Sequence, residues 1–167
     1  MITRHNIVRN WVYKVAEDGL LSPRMEKQGI LGPTDPTRRR PADVAIPVWS
    51  NGRGLAVDVA VVCPLAPSHL DEEEVGENYG VSHKHHKYDA SFGGSNYDFV
   101  AMIFETSGAV NQEGEDILKQ FFRFASKRSP VSHSRFAGRA WARLSCCLQR
   151  AVAQMCLTRI SAKRRRS

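Results

Sequence analysis

Asp43-Val44-Ala45-Ile46-Pro47-Val48-Trp49, then Ser50-Asn51-Gly52-Arg53-Gly54, then Leu55-Ala56-Val57-Asp58-Val59-Ala60-Val61-Val62-Cys63 is the stretch that decides the fold. Two runs rich in β-branched residues flank an Asn-Gly pair, a strong local signal for a hairpin. Pro47 has no amide hydrogen to give to a ladder, so it belongs at an edge or a bulge. The second run is apolar on both faces except at Asp58, the pattern of a central strand covered on each side. Alternation sends Asp58, Ala60 and Val62 one way and Val57, Val59 and Val61 the other.

Working outward toward the N-terminus, residues 28–41 carry Gly29, Gly32, Pro33, Pro36 and Pro41 and read as a loop ending in Arg38-Arg39-Arg40. Before it, Ile7, Val8, Trp11, Val12 and Val15 recur at helical spacing from Arg4 to about Asp18, and Gly19 is placed to stop that helix. On the other side, Pro64 and Pro67 close the strand. A helix is expected from near Ser68, with Asp71, Glu72, Glu73 and Glu74 in its early turns and His83 to Lys87 near its end, and Gly76 and Gly80 bending or splitting it. Asp98 to Glu105 reads as a further buried strand, Glu113 to about Lys127 as a helix, and residues 132–160 as a long amphipathic helix. The order α-β-β-α-β-α-α predicts a mixed α/β domain over residues 1–130, followed at 131–167 by a basic helix and tail.

Composition narrows the classes. The 167 residues, 42% hydrophobic and 25% charged, make one domain of ordinary size with enough apolar surface for a core. No run approaches the ~20 apolar residues of a membrane span. Met1 to Asn6 lacks the apolar region of a signal peptide, so the expectation is an intracellular protein that is not secreted. Cys63, Cys146, Cys147 and Cys156 lack CxxC spacing and read as small hydrophobes in a reducing compartment. Charge is the positive clue: Lys and Arg number 24 against 17 Asp and Glu. After Asp116 thirteen Lys and Arg follow with no acid among them. Such a segment attracts polyanions, nucleic acid first among them, or serves as a solubilising tail. Arg135, Arg139 and Arg143, spaced by four on the last helix, with Arg150 further on, read as a phosphate-contacting ridge. Lys163-Arg164-Arg165-Arg166 suits nuclear import or nonspecific DNA contact.

Asp58 is the residue with a chemical problem. An ionised carboxylate among apolar neighbours in a central strand needs a partner. A basic side chain such as Arg40 or Lys87 would answer that need, or a cation would. Hairpin geometry makes Asp43 the nearest second carboxylate, and two converging carboxylates suit Mg²⁺, which takes hard oxygen ligands and keeps positions for water and phosphate.

The run Arg40-Pro41-Ala42-Asp43, then Asp58-Val59-Ala60-Val61, then Lys84-His85-His86-Lys87-Tyr88 resembles the restriction-endonuclease-like domain of the PD-(D/E)XK superfamily. The likeness is to the version carried by site-specific non-LTR retrotransposons and related mobile-element proteins. It covers roughly residues 4–125, with Arg4-His5-Asn6 on the leading helix. The resemblance implies an α/β fold with a mixed sheet flanked by helices, and hydrolysis of DNA phosphodiester bonds with Mg²⁺ or Mn²⁺. Asp43 matches the acid of the PD motif, with Ala42 intervening after Pro41, and Asp58 matches the acid of (D/E)XK. Ala60 stands where that motif has lysine. In the retrotransposon branch the following helix supplies the lysine, so Lys84 or Lys87 takes that part. Glu26 resembles an additional metal-site acid, and Tyr88 matches the motif's aromatic residue. The implied lysine orients water and steadies transition-state charge, or acts as a base if its pKa is lowered. The same resemblance fits a catalytically silent DNA-binding remnant, for which Ala60 is the first reason to look.

A zinc reading of His83, His85 and His86 with Cys63 lacks the second ligand pair that such sites use. Glu105, at the end of its strand, reads equally as a further site acid or as a turn cap.

Overall fold

The computed structural model describes residues 3–32 and 40–164. In chain order the elements are α1 (Thr3–Asp18), β1 (Arg24–Met25), β2 (Val44–Ser50), β3 (Arg53–Val62), α2 (Val75–Tyr79), α3 (His86–Phe92), β4 (Tyr97–Glu105), α4 (Gln112–Ser126) and α5 (His133–Arg164). The four strands form one open sheet in the order β1-β2-β3-β4. The first two pairings are antiparallel and β3/β4 is parallel. The chain is therefore α/β with a mixed sheet and helices. Arg38 and Arg39, at the basic end of the loop, lie outside the described residues, as do Arg165 and Arg166 of the tail.

The hairpin forms where the Asn-Gly pair predicts it. Asn51 (φ 51°) and Gly52 (φ 75°) both adopt left-handed conformations, as a two-residue turn of the I′ type requires. The β2/β3 ladder runs in register from Val44↔Val57 to Ile46↔Leu55, then slips before Ser50↔Arg53. Pro47 lies in the slipped segment. There the missing amide hydrogen costs no regular ladder bond. On β3's other side the parallel ladder continues unbroken from Gly54↔Tyr97 to Val62↔Glu105. A Cβ at Gly54 would fall 2.4 Å from the Tyr97 ring and 2.8 Å from the Ile46 carbonyl, so only glycine fits between the two neighbouring strands.

The two faces of β3 are buried by different elements, as the alternation predicts. Val57 and Val59 join Val8 and Val12 of α1, Leu118, Phe121 and Phe122 of α4, and Leu144 and Leu148 of α5 in the principal core. Ala60 and Val62 pack with Val75, Ala101 and Ile103 on the opposite face.

Three features differ from the sequence expectation. β1 was not anticipated; at two residues it is too short to show an alternation, and it pairs only with Val44 and Ala45. The helix expected from Ser68 begins at Val75. Residues Pro67–His69 form a separate 3₁₀ turn, and Glu74 sits in a left-handed conformation (φ 51°, ψ 47°) that interrupts right-handed winding. Of the acids only Glu77 lies in its first turn. The expected split appears at Gly80 as a change of winding: Gly80–His85 is π-wound and joins α2 to α3. A side chain at Gly80 would come 3.4 Å from Asn111 and 3.5 Å from Ile103, so glycine lets this segment lie close on β4.

α5 is long but only partly packed. Ala140, Leu144, Leu148 and Ala151 are buried, whereas Leu157 is 59% and Ile160 52% exposed. Its first half thus shares the main core, and the change at 130/131 is one of composition rather than the start of a second core. Among the described residues no helix is long and apolar enough to cross a membrane.

Candidate active site

Continuing the Val44↔Val57 register by one step sets Asp43 opposite Asp58 on one face of the hairpin. The backbone fixes Asp43: its amide donates to the Val57 carbonyl (2.9 Å), and its Oδ2 accepts from the Val59 amide (2.7 Å). Its Oδ1 lies 3.0 Å from His5 Nε2, near the start of α1. Arg4 anchors that end of the helix by donating to the Val61 carbonyl at 2.8 Å.

Asp58 is 8% exposed, and Lys84 Nζ stands 2.7 Å from its Oδ2. The approach is close but bent off the hydrogen-bonding line, so this sealed oxygen has an ion-pair partner and no well-aligned donor. Lys84 comes from the π-wound segment, a winding that recurs at functional sites because it re-aims side chains within a helix. The partner of Asp58 is therefore Lys84, and not Arg40 or Lys87.

The charges respond to one another. Burial pushes the Asp58 carboxyl up to about 6, outweighing the Lys84 ammonium, and the facing Asp43 carboxylate adds to the rise. Burial also lifts Asp43, but the hydrogen bond and charge of His5, with the Val59 amide, hold its pKa below the ordinary value. The hydrogen bond to Asp43 raises the pKa of His5 in turn. Burial disfavours the Lys84 ammonium, yet Asp58 more than compensates and its pKa is raised. Lys84 is thus a hydrogen-bond donor and a positive charge at neutral pH. The lowered pKa that would let a lysine act as a base is not found at Lys84.

The other sequence candidates fall into place around this core. Lys87, three residues past Lys84, lies beyond the change from π to α winding at His85/His86. It is exposed and lies over the Tyr88 ring, 4.7 Å from its centroid, so it does not reach the acids. Tyr88 itself packs on Phe99. The Glu26 amide donates to the Asp43 carbonyl (2.8 Å), which brings its backbone beside the site. Its carboxylate is held by Arg9 and by Arg40 (2.9 Å), so it is neutralised by arginines instead of joining the acid pair. Arg40, expected at phosphate, makes that ion pair in an exposed position. Glu105 caps a turn: it accepts from the Gly76 amide (3.2 Å) and from Ser107 Oγ (2.9 Å).

The arginine ridge lies elsewhere. Arg135, Arg139, Arg143 and Arg150 are all exposed. Arg139 and Arg143 line a groove with Lys14 and Asp18 of α1, toward the end of that helix remote from His5. Arg150 follows Gln149, whose side chain donates to the Thr106 carbonyl just past β4.

Sequence reasoning missed two residues. In the sequence His5 stands only as part of a motif on the leading helix, and nothing local signals that it meets Asp43 across 38 residues. His85 joins the π-wound segment to its surroundings, with Nδ1 2.9 Å from Asp89 and Nε2 2.8 Å from Glu113. Burial lowers its pKa, but the two carboxylates win and the pKa is raised. His83 stacks on Tyr79, so the three histidines serve different partners.

Among the described residues no three His, Cys, Asp or Glu side chains converge as a ready-made metal cluster. Mg²⁺ does not demand one, since it commonly binds through one or two carboxylates and keeps its waters. The facing carboxylates and the sealed Asp58 oxygen without an aligned donor fit such an ion. The class defined so far is a mixed α/β protein with a buried two-carboxylate, one-lysine cluster at a hairpin. No protein-family model matches the chain, and no curated protein or solved structure matches it.

Proposed function

We propose that this chain is a metal-dependent endonuclease-like domain that hydrolyses DNA phosphodiester bonds, with a restriction-endonuclease-like fold of mobile-element origin. Mg²⁺ or Mn²⁺ is its cofactor, and the basic tail fits work in the nucleus. One observation carries the reading: the hairpin sets Asp43 opposite Asp58, and Lys84 reaches across from another element to within 2.7 Å of the second acid. A buried charged cluster with a carboxyl shifted to about 6 is the kind of arrangement that active sites use.

In this reading Asp43 and Asp58 hold the divalent ion. When bound, the ion supplies Lewis-acid polarisation of the scissile phosphate and a more acidic water. His5 and the Val59 amide keep Asp43 ionised and fixed in direction. Lys84, an ammonium, donates to the attacking water or to a phosphate oxygen and offsets charge that builds on phosphorus. The water oxygen bonds to phosphorus as it gives up a proton to solvent, the bond from phosphorus to the leaving sugar oxygen breaks, and that oxygen takes a proton from solvent to leave as the hydroxyl.

A second reading, a catalytically inactive DNA-binding remnant, is favoured by Ala60 in the motif's lysine position and by the direct engagement of Asp58 by Lys84. Nicking of supercoiled plasmid with Mg²⁺ or Mn²⁺, alongside Asp58→Ala, separates the two. The endonuclease reading expects metal-dependent nicking by the native chain and none by the variant. Nicking by neither favours the remnant, and nicking by both means a contaminating nuclease and refutes the assignment of Asp58.

A further inference from the structure

We propose that the groove between α1 and α5 binds an unstacked nucleotide of single-stranded DNA, separately from the acid pair. The groove has a volume of about 270 Å³, with Trp11, Phe136 and Ala140 on its apolar side and Lys14, Arg139 and Arg143 at its rim. Arg139 and Arg143 are one turn apart on α5 and have no carboxylate partner among the described residues. The one acid at the rim, Asp18, is tied to Lys14 at 3.2 Å. The surface therefore joins unneutralised guanidinium groups to an aromatic and apolar hollow.

That pairing selects the ligand. A duplex keeps its bases stacked inside and would offer this groove only phosphates, leaving the apolar side uncovered. An unpaired nucleotide brings a flat base to stack on aromatic or guanidinium surfaces and a phosphate for the arginines. An acidic peptide would satisfy the arginines but has no flat apolar body for the hollow. Lys14 and Asp18 lie nine and thirteen residues beyond His5 on the same helix, a separation of roughly 15–20 Å along its axis. That separation places the groove a few nucleotides of strand away from the acid pair. The binding claim stands by itself. Its consequence, that the DNA which is cut carries an unpaired stretch flanking the cleavage point, rests on the endonuclease reading.

The test uses the full chain in EDTA, so that no cleavage intervenes, and reads fluorescence anisotropy of a labelled 20-nucleotide oligothymidine. Three probes compete with it: a 20-base-pair duplex, a strand of equal length with abasic sites, and polyglutamate. The native chain is expected to prefer the oligothymidine to all three. Arg139→Ser/Arg143→Ser, at exposed positions with an unchanged melting temperature, is expected to weaken single-strand binding at least tenfold. The same variant should flatten the dependence of log affinity on log salt by about 1.4, from two contacts at about 0.7 each. Unchanged binding by the variant overturns the proposal. So does an abasic strand that competes equally well, which means a plain phosphate patch, or polyglutamate that does so, which means an acidic-peptide site. Plasmid nicking tests the acid pair whatever this groove binds, so the two ideas fail separately.

Discussion

Replacing Asp58 by Asn removes one titrating proton from the interior and leaves a side chain of nearly the same shape. In the unfolded chain this carboxyl titrates near its ordinary value of 3.8, and in the fold at about 6. Between those values the folded chain holds a proton that the unfolded chain has released. Stability therefore falls as pH rises through that window and levels off above it. The separation is about two pH units, and at 1.36 kcal/mol per unit the loss is about 3 kcal/mol. Lys84, with a raised pKa, stays charged throughout. Losing its partner shifts the variant's stability by a constant and leaves the slope alone. His5 and Asp43 also titrate. The raised pKa of His5 gives stability that is full below 6.5 and fades as pH rises through the folded value. The lowered pKa of Asp43 gives stability present above 3.8 and lost as pH falls through the folded value. Both groups remain in the variant; the hydrogen bond with Asp58 is one of the smaller causes acting on Asp43, and the Asp58 charge is the smallest acting on His5, so their titrations change less than that of Asp58 itself. Urea unfolding at constant ionic strength from pH 4 to 7.5 measures it. The stability of Asp58→Asn minus that of the native chain should climb by about 2 kcal/mol across the range. A difference that is flat, or that declines with pH, refutes the account of Asp58 as a carboxyl penalised by burial.

Two further predictions concern the packing of α5 and the support of Asp43. Leu148→Ala opens a cavity in the main core and should cost about 2–5 kcal/mol in denaturant unfolding. Leu157→Ala, on the exposed half of the same helix, should stay within about 0.5 kcal/mol. Equal costs at the two positions would mean that the second half of α5 is packed after all. His5→Ala removes the partner that does most to hold the Asp43 carboxyl down, and its titration, followed by carbon NMR, should move up. An unmoved Asp43 would assign its lowered pKa to the Val59 amide and the hydrogen bond with Asp58.

Much of this arrangement was legible because it is local. The Asn-Gly turn, the two-sided apolar run of β3 and the exceptional Asp58 lie within a few residues of one another, where strand alternation and turn chemistry apply directly. The pairing of Asp43 with Asp58 follows from that same hairpin. What escaped depends on long-range contacts or on irregular backbone. β1 is stabilised by its partner strand, and its two residues carry no pattern. The late start at Val75 depends on a left-handed Glu74, a conformation that composition does not announce. Lys84 and Lys87 look equivalent at a spacing of three, and the structure separates them through the winding change that ends at His85. His5 and the groove beside Arg139 exist only because α1 crosses both the hairpin and α5.

On the endonuclease reading, the alanine at position 60, where that motif has lysine, follows from packing. Ala60 lies two residues from Asp58 on the same face of β3, pressed among Val62, Val75, Ala101 and Ile103. A lysine stem there would have to displace part of that cluster, at a cost typical of overpacked cores, about 1–3 kcal/mol. The amine arrives instead from Gly80–His85, whose close seat on β4 depends on Gly80 and whose position is braced by His85 between Asp89 and Glu113. The lysine is thus supplied from a different element, with its own supports, to the same acid. Such a cluster is expensive for a purpose limited to folding. Well-packed apolar residues in place of a buried ion pair are often neutral or stabilising, and Asp58 alone carries a penalty of about 3 kcal/mol at neutral pH. A divalent ion that displaces the Asp58 proton would turn that penalty into binding selectivity, because only the ionised acid binds it. Affinity for Mg²⁺ or Mn²⁺ should then weaken as pH falls below about 6. A calorimetric titration that finds the same affinity at pH 5 and pH 7 would leave the buried acid without a metal-binding purpose.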